Sequence, residues 1–413
     1  MERLPFSHPH RFSIHKMSNK ESDSTSNDSR AWRRVVVKVG TNLLTAGTEH
    51  LSTRFIDEIV RQVAELRQRG VEVVITTSGA VAAGRELLNG QGTTLPKRGV
   101  ANRQVLAALG QASLMNHYAR SMSAAGILVG QALVSRDDLE SGHGYLNARN
   151  ALLGLINSNA VPVVNENDVV AVEELEGEVF GDNDRLSARI ADVVDADTLI
   201  ILSDVAGLFD QDPRSHPDAT LIHEVDGITD EIRAMSGVAG SDRGRGGMTT
   251  KVEAAEIATH IGINVIIASG NDENVLLRLQ AGESIGTYFK SQSTHVEGRK
   301  RRMLAASGRT GDQIIVNAGA TTALVDKGSS LLPPGIVDVH GTFARGAFVE
   351  IADSDGDVIA AGRSNYSSDD IHAIKGLRSA EAHEKLDNDY GDEVVHRNNL
   401  VLMRMQTNTV RDN

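Results

Sequence analysis

Cysteine is absent from the 413 residues, which excludes disulfide staples, thiolate metal sites and a cysteine nucleophile. The same absence fits a reducing compartment, and a cytoplasmic location is the expectation. Aromatic residues are only 3% of the chain, and Trp32 is its one tryptophan. Cores must therefore be built from Val, Ile, Leu and Ala, which suit parallel strands buried on both faces. No apolar run is long enough to cross a bilayer. Positive charge is also short: 42 Lys and Arg stand against 55 Asp and Glu, for a formal net charge of -13. General nucleic-acid binding needs basic surface, so that class is disfavoured. Any site for a phosphorylated ligand must then gather its cations locally.

What is present is enough apolar residue for real cores, 40% of the chain, in a length that exceeds one ordinary core. Two domains are expected. Residues 1–31 form an extension without hydrophobic periodicity, and its run Ser22-Asp23-Ser24-Thr25-Ser26-Asn27-Asp28-Ser29 has the composition of disorder. No apolar segment follows its basic residues, so it is not read as a secretory signal. Glu21, Asp23 and Asp28 argue against a transit peptide, and Met17 is a second candidate start.

Order begins at Val35-Val36-Val37-Lys38-Val39-Gly40, a β-branched run closed by glycine and read as a buried strand. Residues 54–69 then place Phe55, Ile56, Ile59, Val63 and Leu66 at helical spacing before Gly70. The alternation continues. Strand-like runs at 71–76, 127–134, 161–164, 198–202 and 265–268 are separated by helical stretches. This predicts an α/β domain over 32–290, with a mostly parallel sheet covered by helices on both faces. Residues 291–308 read as a charged linker. From Asp312 the period shortens, with strand-like runs at 313–316, 321–325, 336–340, 348–352 and 358–362 and a short helix at 371–377. Ser354-Asp355-Gly356-Asp357 is a hairpin-turn signal. A small β-rich domain is expected over 309–401, followed by a tail, 402–413.

Ligands of open α/β sheets sit at the carboxyl ends of the strands, so the residues after each strand matter most. Lys38 lies near the end of the first strand, where it either snorkels or reaches an anionic partner. Thr77-Ser78-Gly79-Ala80 opens a helix, which is either an ordinary cap by Thr77 or Ser78 or an anion site. Asn165-Glu166-Asn167-Asp168 and Gly181-Asp182-Asn183-Asp184 are dense polar clusters flanking the acidic loop 173–178; they suit a substrate with a charged amino group, or simply turns and caps. Gly244-Arg245-Gly246-Gly247-Met248-Thr249-Thr250-Lys251 runs into a helix, exposing backbone N–H groups beside a lysine. It lacks Walker A spacing. No zincin or EF-hand pattern occurs, and no protein-held metal is expected.

Taken in order, VVVKVGTNLL, VITTSGAVAAGR, LNARNAL, VPVVNENDVV, GDNDRLSA, LILSDVAGLFDQDPRS and GGMTTK resemble the amino acid kinase superfamily. GSSLLPPGI, beyond the linker, resembles a PUA domain, and the combination looks like the glutamate 5-kinase family. The resemblance covers nearly everything after Arg33. It implies a three-layer sandwich followed by a PUA-like barrel, and ATP-dependent phosphorylation of the side-chain carboxylate of L-glutamate, the first step of proline biosynthesis. It also implies Mg²⁺ on the ATP, feedback inhibition by proline and a homo-oligomer. The acyl phosphate product is unstable in water, which suggests a partnership with the reductase of the next step. By position, Lys38 and Lys251 match the lysines at the transferring phosphoryl group, and Asp184 the acid that orients them. Ser78, Asp168 and Asn183, with Asn165 beside them, match glutamate-binding positions. Lys38, Ser203, Asp204 and the segment Arg245, Gly246, Gly247, Met248, Thr249, Thr250 and Lys251 match ATP-binding ones. Ser203 replaces an expected Thr, Arg243 and Arg245 make the glycine segment more basic, and the loop 173–178 is longer than the family's. Two other readings compete: an acetylglutamate-type carboxylate kinase and an RNA-binding PUA protein. From Met303 onward ten Lys and Arg meet sixteen Asp and Glu, a balance of -6, which is the wrong sign for RNA.

Overall fold

The computed structural model describes residues 32–96, 99–171, 183–238, 247–291, 293, 298, 311–386 and 390–403. The extension 1–31, the acidic loop 173–178, Gly181, Asp182, Arg243, Arg245, Gly246, most of the linker and the end of the tail lie outside them.

Six strands run parallel: β1 (Arg34–Val39), β2 (Glu72–Thr77), β3 (Leu128–Val134), β4 (Ala160–Glu166), β5 (Thr198–Ser203) and, after the two-residue β6 (Glu224–Val225), β7 (Asn264–Ser269). β8 (Thr287–Phe289) is antiparallel to β7 and parallel to β6. The order across the sheet is β3-β4-β2-β1-β5-β7-β8-β6. β1 is thus interior, with Lys38 opposite Thr76 on one side and Ile201 on the other. The alternating strand–helix pattern of the sequence does fold as a mostly parallel sheet. The antiparallel edge was not anticipated, because a three-residue strand carries too little pattern to be seen.

The helices of this part are α1 (Thr41–Leu44), α2 (Thr53–Gln68), α3 (Ala80–Gly90), α4 (Val100–Ala124), α5 (Arg136–Glu140), α6 (Gly142–Asn157), α7 (Asn183–Val193), α8 (Asp230–Val238), α9 (Met248–His260) and α10 (Val275–Gln280). Side chains alternate along a strand, so Val35, Val37 and Val39 of β1 share one face and Val36 and Lys38 the other. The first face packs under Ile56, Ile59, Leu66, Leu114 and Leu276 from α2, α4 and α10. The second packs under Leu152, Ile190, Val252 and Ala255 from α6, α7 and α9. A lysine on that second face, 6% exposed, must find its partner between α7 and α9.

α3 and α4 cross closely at two glycines. A Cβ on Gly84 would overlap the Leu106 carbonyl oxygen, and one on Gly110 would overlap the Ala80 carbonyl.

The C-terminal part has its own core of Ile314, Val349, Ile351, Ile359 and Ile371. Its sheet takes β9 (Gln313–Val316), β10 (Ile336–His340), β11 (Phe348–Ala352), β12 (Val358–Arg363) and β13 (Leu400–Leu402) in the order β10-β9-β11-β12-β13. β9 and β11 are parallel and the other pairs antiparallel. The expected turn joins β11 to β12, with Gly356 at φ +89°. The expected strand at 321–325 is instead part of a helix, Ala318–Val325. The Asn317 side chain caps it by accepting from the Ala320 N–H, and only Leu324 is buried. The Ala-rich run tolerates helix, so the cap outweighs the β-branched residues.

Gly110→Ala should therefore lower the unfolding free energy by about 1–3 kcal/mol, as overpacking does, measured by urea denaturation. An unchanged midpoint would show that the two helices can separate freely.

Candidate active site

β4, β2, β1 and β5 lie side by side, and their carboxyl ends are Asn165-Glu166, Thr77, Val39 and Ser203. The first turns of α3, α7 and α9 approach the same edge through residues that the sequence had singled out.

Asp184, in the first turn of α7, is 2% exposed. Lys38 Nζ lies 2.5 Å from its Oδ1, and Lys251 Nζ 3.1 Å from its Oδ2. Thr250 Oγ1 donates to Oδ2 at 2.9 Å. Burial alone would raise the Asp184 pKa, but the charges of Lys38 and Lys251 more than reverse this and hold it at about 2. One carboxylate thus fixes two ammonium groups that come from a strand and a helix 213 positions apart in sequence. Gly40 follows Lys38 directly; a Cβ there would stand 3.5 Å from the ammonium. Its φ is -81°, so the backbone does not require glycine, and what the missing side chain leaves is open space beside the charge.

Next to this cluster is a cavity of about 280 Å³, lined among others by Thr41, Ser78, Arg85, Arg103, Asn165, Glu166, Asp168 and Asn183. Its hydrogen bonds have a readable polarity. Asn183 Nδ2 lies 2.6 Å from the Thr77 carbonyl, which can only accept, so the amide orientation is determined. The same nitrogen has Ser78 Oγ at 2.8 Å and Asn165 Oδ1 at 3.0 Å, so its two hydrogens are shared among three acceptors. Ser78 Oγ is therefore an acceptor toward Asn183, and its own proton remains to be donated elsewhere. Asn165 Nδ2 donates to Gln111 Oε1 at 2.8 Å. Among the described residues, Asn183 Oδ1 is buried without a partner, which marks it as an acceptor for a ligand. α3 begins at Gly79, at φ +97° and without a side-chain cap, so neither Thr77 nor Ser78 caps it. Gly79, Ala80 and Val81, at its start, line the cavity, and the first N–H groups of a helix have no acceptor within it.

On the other side of Lys38, Ser203 Oγ donates to Asp204 Oδ1 at 3.2 Å, and Asn42 Nδ2 to Asp204 Oδ2 at 3.0 Å. Gly247 precedes α9 with no side-chain cap, leaving the helix N-terminus to its backbone donors. Thr249 Oγ1 donates to the Ser236 carbonyl at 3.1 Å. The hydroxyls of Thr249 and Thr250 thus make internal bonds, although the sequence grouped both residues with the nucleotide segment. Gln111, Arg85 and Arg103 were not anticipated: they lie inside helices, and only the crossing of α3 and α4 brings them to the strand ends.

The family model for the amino acid kinase family matches residues 33–269, and that for the PUA domain residues 312–386. The chain belongs to the amino acid kinase family, among the glutamate 5-kinases. It is 46% identical over 373 residues to the glutamate 5-kinase of Shewanella oneidensis, covering 90% of this chain and 98% of that protein. It is 46% identical over 368 residues to that of Herpetosiphon aurantiacus, covering 89% and 98%. With that of Dehalococcoides mccartyi it shares 44% over 376 residues, 91% of this chain and all of that one. Among solved structures, the UMP kinase of Bacillus anthracis aligns with TM-score 0.44 and 14% identity over 64% of this chain and 98% of its own. The amino acid kinase match spans β1 to β7 and so contains Lys38, Ser78, Asn165, Asp168, Asn183, Asp184, Ser203, Asp204 and Lys251.

A carboxyl group with its pKa lowered from 3.8 to about 2 adds stability that is complete above its unfolded value and is lost as pH falls through its folded one. The stability difference between the wild type and Asp184→Asn should be flat above about pH 4 and shrink between about pH 4 and 2. A difference still changing near neutrality, in denaturation series across pH, would show that Asp184 is not the ionised anchor.

Proposed function

We infer that the protein transfers the γ-phosphoryl group of ATP to the side-chain carboxylate of L-glutamate, giving ADP and L-glutamyl 5-phosphate for proline biosynthesis. The observation that carries the mechanism is the Lys38–Asp184–Lys251 cluster beside a cavity that holds both acidic and basic side chains. The acceptor carboxylate is ionised at neutral pH, so no general base is required. One of its oxygens forms the new P–O bond, and the bond between the γ-phosphorus and the β–γ bridging oxygen breaks, leaving ADP. The work that remains is alignment of that oxygen and neutralisation of charge on the phosphoryl oxygens. Lys38 and Lys251 supply the charge from a strand and a helix, and Asp184 holds both in place.

The acceptor fits the cavity by chemistry. Asp168, with the unpartnered Asn183 Oδ1 and with Asn165, suits an α-ammonium, and the Ser78 hydroxyl, Arg85, Arg103 and the start of α3 suit carboxylates. An acetylated amino group would bring no positive charge to Asp168, which disfavours the acetylglutamate-type reading. ATP takes the other side, along Ser203, Asp204 and the segment from Arg245 to Lys251. Mg²⁺, held by the ATP phosphates, supplies further neutralisation of the transferring group. Asp184 is not offered as its ligand, because both its oxygens are engaged by Lys38, Lys251 and Thr250.

The remaining assignments are part of the same reading. Proline carries the α-carboxylate and ammonium of glutamate and acts as the feedback inhibitor. The enzyme is a cytoplasmic homo-oligomer that passes its labile product to a reductase. No helix among the described residues is long and apolar enough to cross a membrane. We place the catalytic domain at 32–290 and the PUA domain at 309–401, and assign no RNA-binding role to the latter.

Lys38→Ala and Lys251→Ala should each lower kcat by about a hundredfold or more while glutamate binding persists. Near-normal turnover in either variant would remove that lysine from the mechanism. The substrate assignment is tested by trapping the acyl phosphate with hydroxylamine, comparing L-glutamate, N-acetylglutamate and aspartate with and without proline. Activity on glutamate alone, suppressed by proline, is expected; activity on another acceptor sinks the assignment.

A further inference from the structure

Arg149, in the middle of α6, is 1% exposed and takes no part in the site described above. Its Nη1 donates to the carbonyl of Val193, the last residue of α7, and its Nη2 to Asp195 Oδ2. Nη2 also lies 3.0 Å from the carbonyl oxygen of Asn398, next to β13 in the C-terminal part. The end of α7 is unusually well held. Arg34 Nη1 donates to the Val194 carbonyl, and Arg33 Nη2 to that of Asp195 at 3.2 Å. Of these three arginines, Arg149 is the one for which a bond to the C-terminal part is seen among the described residues.

The contact is broader than one side chain. Gly142, Tyr145 and Arg149 fall at spacings of three and four and share a face of α6. A Cβ on Gly142 would stand 2.6 Å from the Gly346 carbonyl oxygen, and one on Gly346, at φ +88°, would overlap the Gly142 backbone. The Arg363 guanidinium sits 4.8 Å from the centre of the Tyr145 ring and donates to the Gly346 carbonyl at 2.7 Å. One face of α6 is therefore the seat of the C-terminal domain, and its buried end is Arg149.

α7 is a single rod of 11 residues, about 16 Å long. Asn183 and Asp184 stand at its first turn and the arginine-held carbonyls at its last. Packed helices shift as units, so a displacement at one end appears at the other. We propose that Arg149 is a positioning residue for phosphoryl transfer, clamping the far end of α7 to the C-terminal domain so that Asp184 and Asn183 stay in register with Lys38 and the acceptor. This rests on the kinase reading for its activity readout alone. Lysine cannot replace the clamp, because a point ammonium cannot serve three separated oxygens as a planar fork does.

The test compares the full-length wild type with Arg149→Lys, Gly346→Ala and the double variant. It measures steady-state kinetics, melting temperature and amide hydrogen exchange. Arg149→Lys should lower kcat about tenfold to a hundredfold, with KM for glutamate and ATP changed less than about threefold, because geometry is lost and no substrate contact is. The amides of Ser187 and Ala188, which helix geometry bonds to Asn183 and Asp184, should exchange faster. Gly346→Ala should lower kcat in the same direction, and the double variant should fall no further than Arg149→Lys, since both act on one link. A kcat within about twofold of wild type in Arg149→Lys overturns the proposal even if the melting temperature falls, because a purely structural arginine predicts that pattern. Additive loss in the double variant overturns the link to the C-terminal domain. If Arg149→Lys does not fold, Arg149→Met with Asp195→Asn removes both charges of the pair and takes its place. A wild type inactive on glutamate would overturn the substrate reading, and exchange at Ser187 and Ala188 would still decide this one: unchanged rates refute it.

Discussion

A carboxylate removed from water beside two lysines is stable only while all three keep their geometry, because each group left alone would be a buried charge. Asp184 is in that position, and much of the site can be read as the means of keeping it there. β1 brings Lys38 to the correct face of the sheet by strand alternation, and α9 brings Lys251 and Thr250 to the other carboxylate oxygen. Because Asp184 and Asn183 are neighbours on α7, the helix that anchors the lysines also orders the acceptor wall. The charge cluster and the acceptor cavity are therefore one mechanical unit.

This unit explains how an acidic chain handles an anionic reaction. With a net charge of -13, the protein offers no general attraction for phosphate. It concentrates cations instead. Lys38 and Lys251 converge on one carboxylate, and Arg85 and Arg103 line the cavity beside it. Asp184 carries one negative charge against two lysines, so the cluster keeps a net positive charge for an incoming phosphoryl group. The acidic side chains Glu166 and Asp168, at and just after the end of β4, line the same cavity.

The connection through α6 adds a second scale. Among the described residues, the link seen from the C-terminal domain toward the site is indirect: its Asn398 carbonyl shares the buried Arg149 guanidinium with the last turn of α7. Arg149 of α6 is the side chain that bonds both to the end of α7 and to the C-terminal part.

The alternation of strands and helices and the two-part organisation were legible in the chain, and the residues of the charge cluster through its resemblance to the family. β-branched runs, glycine stops and the lysines near strand and helix ends are local signals, set by side-chain shape and backbone freedom. The stretch 321–325 was misread because Thr and Val there favour strand, while the deciding feature is the Asn317 cap outside it. The placement of Gln111, Arg85 and Arg103 and the contacts of Arg149 were not legible, since they arise only when elements distant in sequence pack together. The sequence by itself determined which groups could carry charge and, outside 321–325 and the short edge strands, which segments would be strand or helix, because those depend mostly on each residue and its near neighbours. Only the tertiary structure decided which oxygen of the Asp184 carboxylate each lysine meets, that Thr250 donates to it and that Arg149 bonds to the C-terminal part. Those facts depend on sheet order and helix crossing, which arise from the packing of the whole core.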